Sequence, residues 1–442
     1  MTLNSTMLKS SLVGALGGLL FGFDTAVIAG TTGAISSLYQ LTSFWLGFTV
    51  SIALFGTVIA AMTSGIPGER YGSRATLRVL AVLYVISALG CALAWNWPAL
   101  LVFRFIGGLG IGGSSVLGPV YIAELAPAQW RGRLVGLFQI NVVLGILLAY
   151  FSNFAIATLH LGATEWRWDL GVAAFPAILF FIFLFGIPQS PRWLAARGRT
   201  DEALHVLERT GSINPRAELQ EIVDSIHLER KSQFEPLFQK KYSLPIFLAI
   251  FTGAFNQLSG INAILYYLNS IFAQAGFSSM SANVQAVIIG ATNLFFTLIA
   301  MTVIDRLGRR TLLLVGSVGC AASLFGVAAI FWSHQHASML LWCLVGFIGF
   351  FSFSQGAVIW VYLSEIFPTR VRAKGQSLGC SSHWIMNAIV SLLFPLFAKS
   401  SGAFPFAFFG LMMVVQLVVV YWVYPETKGV TLEQMQARLK IA

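Results

Sequence analysis

Long apolar runs recur along nearly the whole chain, and this pattern limits the fold more than any other feature. We place twelve runs, at approximately 9–31, 45–67, 76–95, 98–124, 134–158, 170–188, 244–272, 282–304, 311–333, 338–366, 373–398 and 404–424. A helix of about 20 apolar residues is long enough to cross a bilayer. Backbone groups in lipid must find their hydrogen-bond partners within the span, so such runs form helices. The sequence therefore predicts an all-α membrane protein with twelve transmembrane helices in a lipid bilayer.

The composition agrees with this class. Of the 442 residues, 57% are hydrophobic and 10% are charged, whereas a soluble domain carries roughly 25% charged residues. This excludes a disordered chain, a disulfide scaffold and a soluble enzyme of ordinary make-up. The four cysteines lie in apolar runs without CxxC spacing, so we predict buried thiols. The first run contains Asp24 and shows no cleavage site, so we predict a retained helix and not a signal peptide.

Basic residues are distributed unevenly between the two sides of the predicted membrane protein. With twelve spans both termini lie on one side. Of the 27 Lys and Arg residues, only Arg167 and Lys399 fall in loops on the opposite side, while Arg104 lies within a span. Because basic residues concentrate in cytoplasmic loops, we predict that both termini are cytoplasmic. We assign the net charge of +10 to this bias and predict no nucleic-acid partner.

Loop motifs of the first half recur in the second half. GERYGSR (68–74) resembles IDRLGRR (304–310), YIAELAPAQWRG (121–132) resembles YLSEIFPTRVRA (362–373), and PQSPR (188–192) resembles PETKG (425–429). Such a repeat predicts two six-helix halves related by an axis along the membrane normal, with a substrate site near the midplane between them. We place the halves at 1–188 and 244–425. A linker with short amphipathic helices occupies 189–243, and a cytoplasmic helix or tail occupies 426–442.

The repeated motifs place acidic and basic side chains at the cytoplasmic helix ends. Ion pairs there would latch the helices in the outward-facing conformation; the alternative is that the charges only anchor helix ends and set topology. The candidate latch residues are Glu69, Arg70, Arg74, Glu124, Arg131, Asp305, Arg306, Arg310, Glu365 and Arg372.

Asp24 and Arg104 are ionisable residues inside predicted spans. A carboxylate in lipid needs a partner or a proton, and intramembrane ionisable residues mark functional sites. Arg104 would stabilise the charged form of Asp24, and its withdrawal would favour protonation. We predict a proton-coupling pair; the alternative is a static pair that joins the first and fourth spans.

Six motifs in order resemble the sugar porter family of the major facilitator superfamily, particularly its bacterial monosaccharide:proton symporters. They are GGLLFGFDTAVIAG (17–30), GERYGSR (68–74), PQSPRWL (188–194), QLSGINAILYY (257–267), IDRLGRR (304–310) and YPETKG (424–429). The resemblance implies the major facilitator fold, alternating access, and a monomer in the bacterial inner (plasma) membrane. It also implies import of a monosaccharide, with a hexose such as glucose expected, together with protons. Proton-coupled members have Asp at the position of Asp24, whereas facilitative glucose carriers typically have Asn.

Polar and aromatic side chains within the spans are the candidate sugar ligands, because sugars offer hydroxyls to amides and a C–H face to aromatic rings. Hydrogen bonds between helices are the alternative role for each amide. The candidates that match sugar-contacting family positions are Gln139, Asn256, Gln257, Asn262 and Trp360. We add Asn293, His383 and Asn387 from their place in apolar spans. His383 stands where Gln or Asn is usual and adds a second group that could titrate.

Three further residues depart from the family pattern. Glu69 replaces the usual Asp, Gln189 replaces the Glu of PESPR, and Ala357 stands where a Gly-Pro pair is common. A facilitative uniporter with a structural Asp24 is the main alternative function. A sugar sensor, a drug:proton antiporter and a membrane enzyme are further alternatives.

Catalytic and cofactor motifs are weak in this sequence. GLGIGG (108–113) matches a nucleotide-binding pattern but follows no strand, so we predict a face for close helix packing. His334 and His336 alone make a poor metal site. We therefore predict no enzyme activity, no cofactor and no metal.

Overall fold

A computed structural model describes residues 4–231, 235–368, 370–430, 434–435 and 438–439. For residues 128–129, 228–231 and 305 it describes the backbone only. Within these ranges the chain forms twenty α-helices. They are α1 (Ser5–Leu38), α2 (Ser43–Thr63), α3 (Gly65–Tyr71), α4 (Ser73–Ala92), α5 (Trp97–Leu125), α6 (Ala128–Ala157), α7 (Glu165–Gly171), α8 (Ala174–Phe183), α9 (Pro191–Ala196), α10 (Thr200–Arg209), α11 (Pro215–Lys231), α12 (Ser243–Leu258), α13 (Ile261–Tyr266), α14 (Leu268–Gln274), α15 (Ser279–Leu307), α16 (Arg309–Ser333), α17 (Leu340–Phe353), α18 (Gln355–Glu365), α19 (Arg372–Ser400) and α20 (Phe404–Val423).

Twelve segments of the described chain are helical, apolar and long enough to cross a membrane. Their bounds agree with the predicted spans to within a few residues at most ends. The sixth differs most, because its helical segment spans Gly162–Phe183, and the first helix is longer than predicted, spanning Ser5–Leu38. The prediction of an all-α membrane protein with twelve spans is confirmed.

The seventh and tenth spans are interrupted. Gly260, between α12 and α13, has a left-handed backbone with φ 82°, which glycine adopts without a steric penalty. A side chain there would also collide with the ring of Phe409. In the tenth span Ser354, with φ −122° and ψ −87°, separates α17 from α18. Both breaks lie beside polar residues of the predicted sugar site.

Glycines allow helix backbones to touch. A methyl group on Gly22 of α1 would collide with the carbonyl oxygen of Val142 on α6, and one on Gly145 of α6 would collide with that of Leu19. In the GLGIGG segment of α5, a side chain on Gly112 would collide with the carbonyl of Thr57 on α2. This segment packs closely against its neighbours, as expected from its small residues.

The sequence repeat corresponds to repeated local structure. Gly72 has φ 90° between α3 and α4, and Gly308 has φ 89° between α15 and α16. The Tyr121 hydroxyl donates to the Pro188 carbonyl at 2.7 Å. Its counterpart, the Tyr362 hydroxyl, donates to the Pro425 carbonyl at 3.4 Å.

The chain divides into two compact units. The first comprises Met1–Asp24, Phe55–Ile146 and Leu170–Phe234, and so includes the linker helices α9 to α11. The second comprises Thr25–Leu54, Leu147–Asp169 and Glu235–Ala442.

Within the second unit, the end of the first span and the end of the fifth are bonded to the seventh-span region. Thr32 and Ser270 share a hydroxyl hydrogen bond of 3.1 Å. The Tyr150 hydroxyl donates to the Leu265 carbonyl at 2.8 Å.

The C-terminal segment contributes to the core of the second unit. Met435 and Leu439 are buried in a hydrophobic cluster that also contains Leu237 and Tyr424. Residues 431–433, 436–437 and 440–442 of the predicted C-terminal helix or tail lie outside the described residues.

Candidate substrate and proton sites

Gln257 is the centre of a buried amide cluster in the second unit. Its side chain is 1% exposed. Its Nε2 donates to Asn256 Oδ1 at 3.2 Å, and its Oε1 accepts from Asn262 Nδ2 at 3.1 Å. The break at Gly260 lets α13 change course, so Asn262 can reach back to Gln257. These amides bond mainly to one another, so they form a preorganised polar surface.

His383 and Trp360 add aromatic surface to this cluster. Gln257 Nε2 lies 3.2 and 3.3 Å from the two ring nitrogens of His383. If Gln257 Nε2 donates to His383, the ring nitrogen that accepts must carry no proton. The Trp360 ring centroid lies 5.2 Å from that of His383, and the Trp384 ring lies edge-on to His383 at 5.1 Å. Trp360 is 36% exposed, so part of its ring is accessible.

Asn387 and Asn293 have their own partners. Asn387 Nδ2 donates to the Tyr266 hydroxyl at 3.3 Å, and the Ser391 hydroxyl donates to Asn387 Oδ1 at 3.1 Å. Asn293 Oδ1 accepts from Ser352 at 2.8 Å, which ties α15 to α17. Its contact therefore fits the helix-joining alternative as well as a ligand role.

Gln139 and the acid–base pair lie in the first unit. Gln139 is half-buried on α6, next to Phe138, whose carbonyl lies against Gly18 of α1. Asp24 on α1 is half-buried, and Arg104 on α5 is 4% exposed. Arg104 acts electrostatically on Asp24. The charge of Asp24 also acts on Tyr84, and the charges of both residues act on Cys91. Asp24 and Arg104 thus lie close enough to interact electrostatically.

At the end of the tenth span on the side of the termini, Glu365 is held from two directions. Arg309 Nη2 donates to Glu365 Oε1 at 3.0 Å in an ion pair. The Thr427 hydroxyl donates to Glu365 Oε2 at 2.5 Å. Arg310 instead donates to the Tyr421 carbonyl, also at 2.5 Å. Sequence reasoning did not select Arg309 or Thr427, although both lie in the repeated motifs.

The equivalent acid in the first unit, Glu124, has a weaker set of partners. Ser73 and Ser190 lie beside its carboxyl group, and Arg192 acts on it electrostatically. Its buried Oε2 has no hydrogen-bond partner among the described residues. Ser73 occupies the repeat position of Arg309, and Ser190 that of Thr427. The two networks are therefore asymmetric in charge.

The other candidate latch residues contact backbone groups or solvent. Arg74 Nη1 donates to the Ile187 carbonyl at 2.8 Å, and Arg372 Nε to the Phe367 carbonyl at 3.4 Å. The carbonyls of Glu69 and Arg70 accept from side chains of α9, namely Trp193 at 3.0 Å and Arg197 at 2.7 Å.

The side chains of Arg131 and Arg306 are exposed. The Arg306 carbonyl accepts from Lys428 at 2.5 Å. The side chain of Asp305 lies outside the described part of the structure.

Glu426 caps α16. Its carboxylate accepts backbone N–H bonds from Arg309 and Arg310, and from its neighbours Thr427 and Lys428, at 2.9 to 3.0 Å. Partial burial acts to raise the pKa of Glu426, but the four N–H donors outweigh it and hold the pKa below its usual value. At the repeat position, Gln189 lies beside Gly72 and its Oε1 accepts from Ser190 at 3.3 Å.

The lowered pKa of Glu426 predicts a stability contribution that depends on pH. The contribution is full above the unfolded-state pKa, about 4.3, and is lost as pH falls through the folded-state value. Glu426→Gln should cost about 1 kcal/mol at pH 7, because solvent screens this partly exposed group. Thermal unfolding in detergent from pH 7 to pH 3 measures it. If Glu426→Gln lost the same stability at pH 7 and at pH 3, Glu426 would not be the source of the pH dependence. The matched variant is Gln189→Glu, which should be more stable than the wild type at pH 7.

These sites belong to a polytopic membrane protein with a neutral polar cluster and an acid–base pair among its spans. Comparison with known proteins agrees. The family model for Sugar (and other) transporters matches residues 10–439. The chain is 36% identical to the arabinose-proton symporter of Bacillus subtilis, over 96% of this chain and 93% of that protein. It is 34% identical to a glucose transport protein of Synechocystis sp., over 97% of both chains.

A solved structure gives the same result. The xylose transporter XylE of E. coli, in a partially occluded inward-open conformation, superposes with a TM-score of 0.87. That alignment has 33% identity and covers 97% of this chain and 100% of XylE. The chain belongs to the sugar transporter family and has the major facilitator fold. It is a membrane transporter and not an enzyme.

Proposed function

We propose that this protein imports a monosaccharide together with a proton by alternating access, and that its substrate is a hexose such as glucose. The observation that carries the proposal is the amide cluster centred on Gln257, which is neutral, buried and flanked by accessible aromatic surface. Neutral amides and an aromatic face suit a polyol better than a charged or apolar solute. The relatives named above transport arabinose, glucose and xylose, which supports the same class of substrate.

In the proposed mechanism, sugar hydroxyls exchange hydrogen bonds with Asn256, Gln257 and Asn262, and the sugar C–H face lies against Trp360. Gln139 contributes from the N-terminal half, residues 1–188. His383, Asn293 and Asn387 complete or support this surface. Asp24 carries the proton, and Arg104 changes its affinity for the proton. We further propose a monomer in the bacterial plasma membrane with both termini in the cytoplasm.

Uptake of labelled glucose, xylose and arabinose into proteoliposomes, with and without a proton gradient, tests the proposal. Proton-dependent accumulation of at least one sugar is the expected result, with glucose accumulated most. Sugar exchange without accumulation would favour the uniporter alternative, in which Asp24 is structural. No uptake of any of the three sugars would reject the assignment of substrate class.

Gln257→Ala should weaken sugar binding, because it removes the side chain that joins Asn256, Asn262 and His383. A neutral hydrogen bond contributes about 0.5–1.5 kcal/mol, so loss of one or two should lower affinity roughly 2- to 160-fold. Equilibrium binding to the purified protein measures this effect. Gln220, exposed on the linker helix α11, provides the matched control Gln220→Ala. Wild-type affinity in Gln257→Ala would remove this residue from the site.

The asymmetry of the acidic networks gives a prediction about conformation. Glu365→Gln breaks the ion pair with Arg309 and should shift the protein toward the inward-facing state. The shift should be larger than for Glu124→Gln, because the groups beside the Glu124 carboxyl include the neutral hydroxyls of Ser73 and Ser190. The latch role, proposed for both residues, requires a shift in the same direction for each. Accessibility of single cysteines introduced on either side of the membrane measures it. An unchanged labelling pattern in the double variant would leave these charges with an anchoring role only.

A further inference from the structure

Gln355 is a buried amide that neither the motifs nor the proposed mechanism uses. It is the first residue of α18, directly after the break at Ser354, and is 1% exposed. Its backbone carbonyl accepts from Asn256 Nδ2 at 3.4 Å. Gln355 is therefore joined directly to the amide cluster of the candidate sugar site.

The side-chain amide of Gln355 is poorly satisfied. Its Nε2 lies 3.2 Å from Met413 Sδ on α20, and a thioether is only a weak acceptor. Its Oε1 is buried, and no group in the described part of the chain donates to it. Buried amide oxygens without a donor are rare in native proteins, and each needs an explanation.

A second amide with the same property lies on the neighbouring helix. Gln416 follows Met413 by three residues, so both lie on one face of α20. Gln416 is 4% exposed, and its Oε1 also lacks a donor among the described residues. Gln355 and Gln416 are thus two buried side-chain acceptors, the first in contact with Met413 and the second three residues along the chain from Met413.

We propose that Gln355 determines sugar specificity: its Oε1 accepts a hydrogen bond from one hydroxyl of the bound monosaccharide, while its carbonyl holds Asn256 beside that hydroxyl. The inference rests on the proposed transport function. The chemistry is selective, because an amide oxygen only accepts and the matching sugar group must donate. Replacement of that hydroxyl by hydrogen or by fluorine removes the donor, so both analogues lose the same bond. Gln416 lies one helical turn beyond Met413 and is the comparison residue.

Equilibrium binding of glucose and its monodeoxy and monodeoxyfluoro analogues to the purified full-length protein tests this proposal. In the wild type, the deoxy and the fluoro analogue at one position should both bind roughly 2- to 10-fold more weakly than glucose. Gln355→Met keeps the length and the contact with Met413 but has no oxygen. This variant should bind glucose more weakly by the same factor. At that one position, the deoxy and fluoro analogues should then bind as tightly as glucose. Penalties at the other positions should persist, and Gln416→Met should retain the full pattern.

Three results would overturn the proposal. A Gln355→Met protein that binds all analogues more weakly in proportion would show a structural role only. If Gln355→Met still binds every analogue more weakly than glucose, the hydroxyl is bound by another residue. If only Gln416→Met abolishes the difference at one position, the acceptor is Gln416 on α20. If Gln355→Met does not reach the membrane, Gln355→Asn, which withdraws the oxygen by one methylene, takes the same test. A wild type that binds no sugar would reject the proposed function itself, whereas sugar binding with an unchanged analogue pattern would reject only this inference.

Discussion

Asp24→Asn should abolish sugar accumulation while leaving sugar exchange intact. Asn preserves the shape and hydrogen-bonding capacity of the protonated acid but cannot release a proton. A ΔpH of about 2 units can support up to about 100-fold accumulation when one proton moves with each sugar. The variant should reach a ratio of about 1, because no protonation change remains to link the two flows. The measurement is labelled sugar in proteoliposomes at a clamped membrane potential.

His383→Gln is the control for this experiment, since His383 is the other titratable residue at the candidate site. It should still accumulate sugar, and its sugar affinity should keep the pH dependence that Asp24→Asn loses. This dependence follows from reciprocity: if protonation favours sugar binding, sugar must favour protonation. Accumulation by Asp24→Asn under the gradient would disprove the coupling assignment and make His383 the next candidate.

Trp360→Ala should reduce transport to background in protein that still reaches the membrane. Trp360 is 36% exposed, and its ring centroid lies 5.2 Å from that of His383. Loss of a stacking surface of this size should cost about 2–3 kcal/mol of sugar binding, roughly 30- to 150-fold in affinity. Binding isotherms and initial uptake rates, normalised to the amount of protein in the membrane, measure the effect.

Trp342 gives a matched comparison within the same span. It lies on α17 and is 66% exposed, as expected for a side chain that faces lipid. Trp342→Ala should transport normally. If Trp360→Ala also showed normal uptake kinetics, Trp360 would have a packing role, and the aromatic surface of the site would have to come from Trp384.

The spans could be predicted because hydropathy and length determine them, whereas the break at Gly260 in the seventh span appears only in the structure. The pairing of charges could not be predicted in the same way. IDRLGRR contains three arginines, and its letters alone do not show that Arg309 is the one that pairs with Glu365. The offset of the repeat would have shown that Ser73 replaces this arginine in the first half. Gln355 was missed because an amide beside a helix break resembles an ordinary turn residue in sequence.

The contact between α1 and α6 limits how the proton site can move. At Gly22 and Gly145 each helix touches the backbone of the other, so sliding or rotation of one against the other would force atoms to overlap. Asp24 is two residues beyond Gly22, and its Cα is therefore fixed relative to α6, the helix that carries Gln139. Few degrees of freedom remain at Asp24 besides its own two side-chain torsions. A change in its distance to Arg104 must then come from rotation of side chains or from movement of α5, and the α1–α6 pair acts as the fixed frame against which that distance changes.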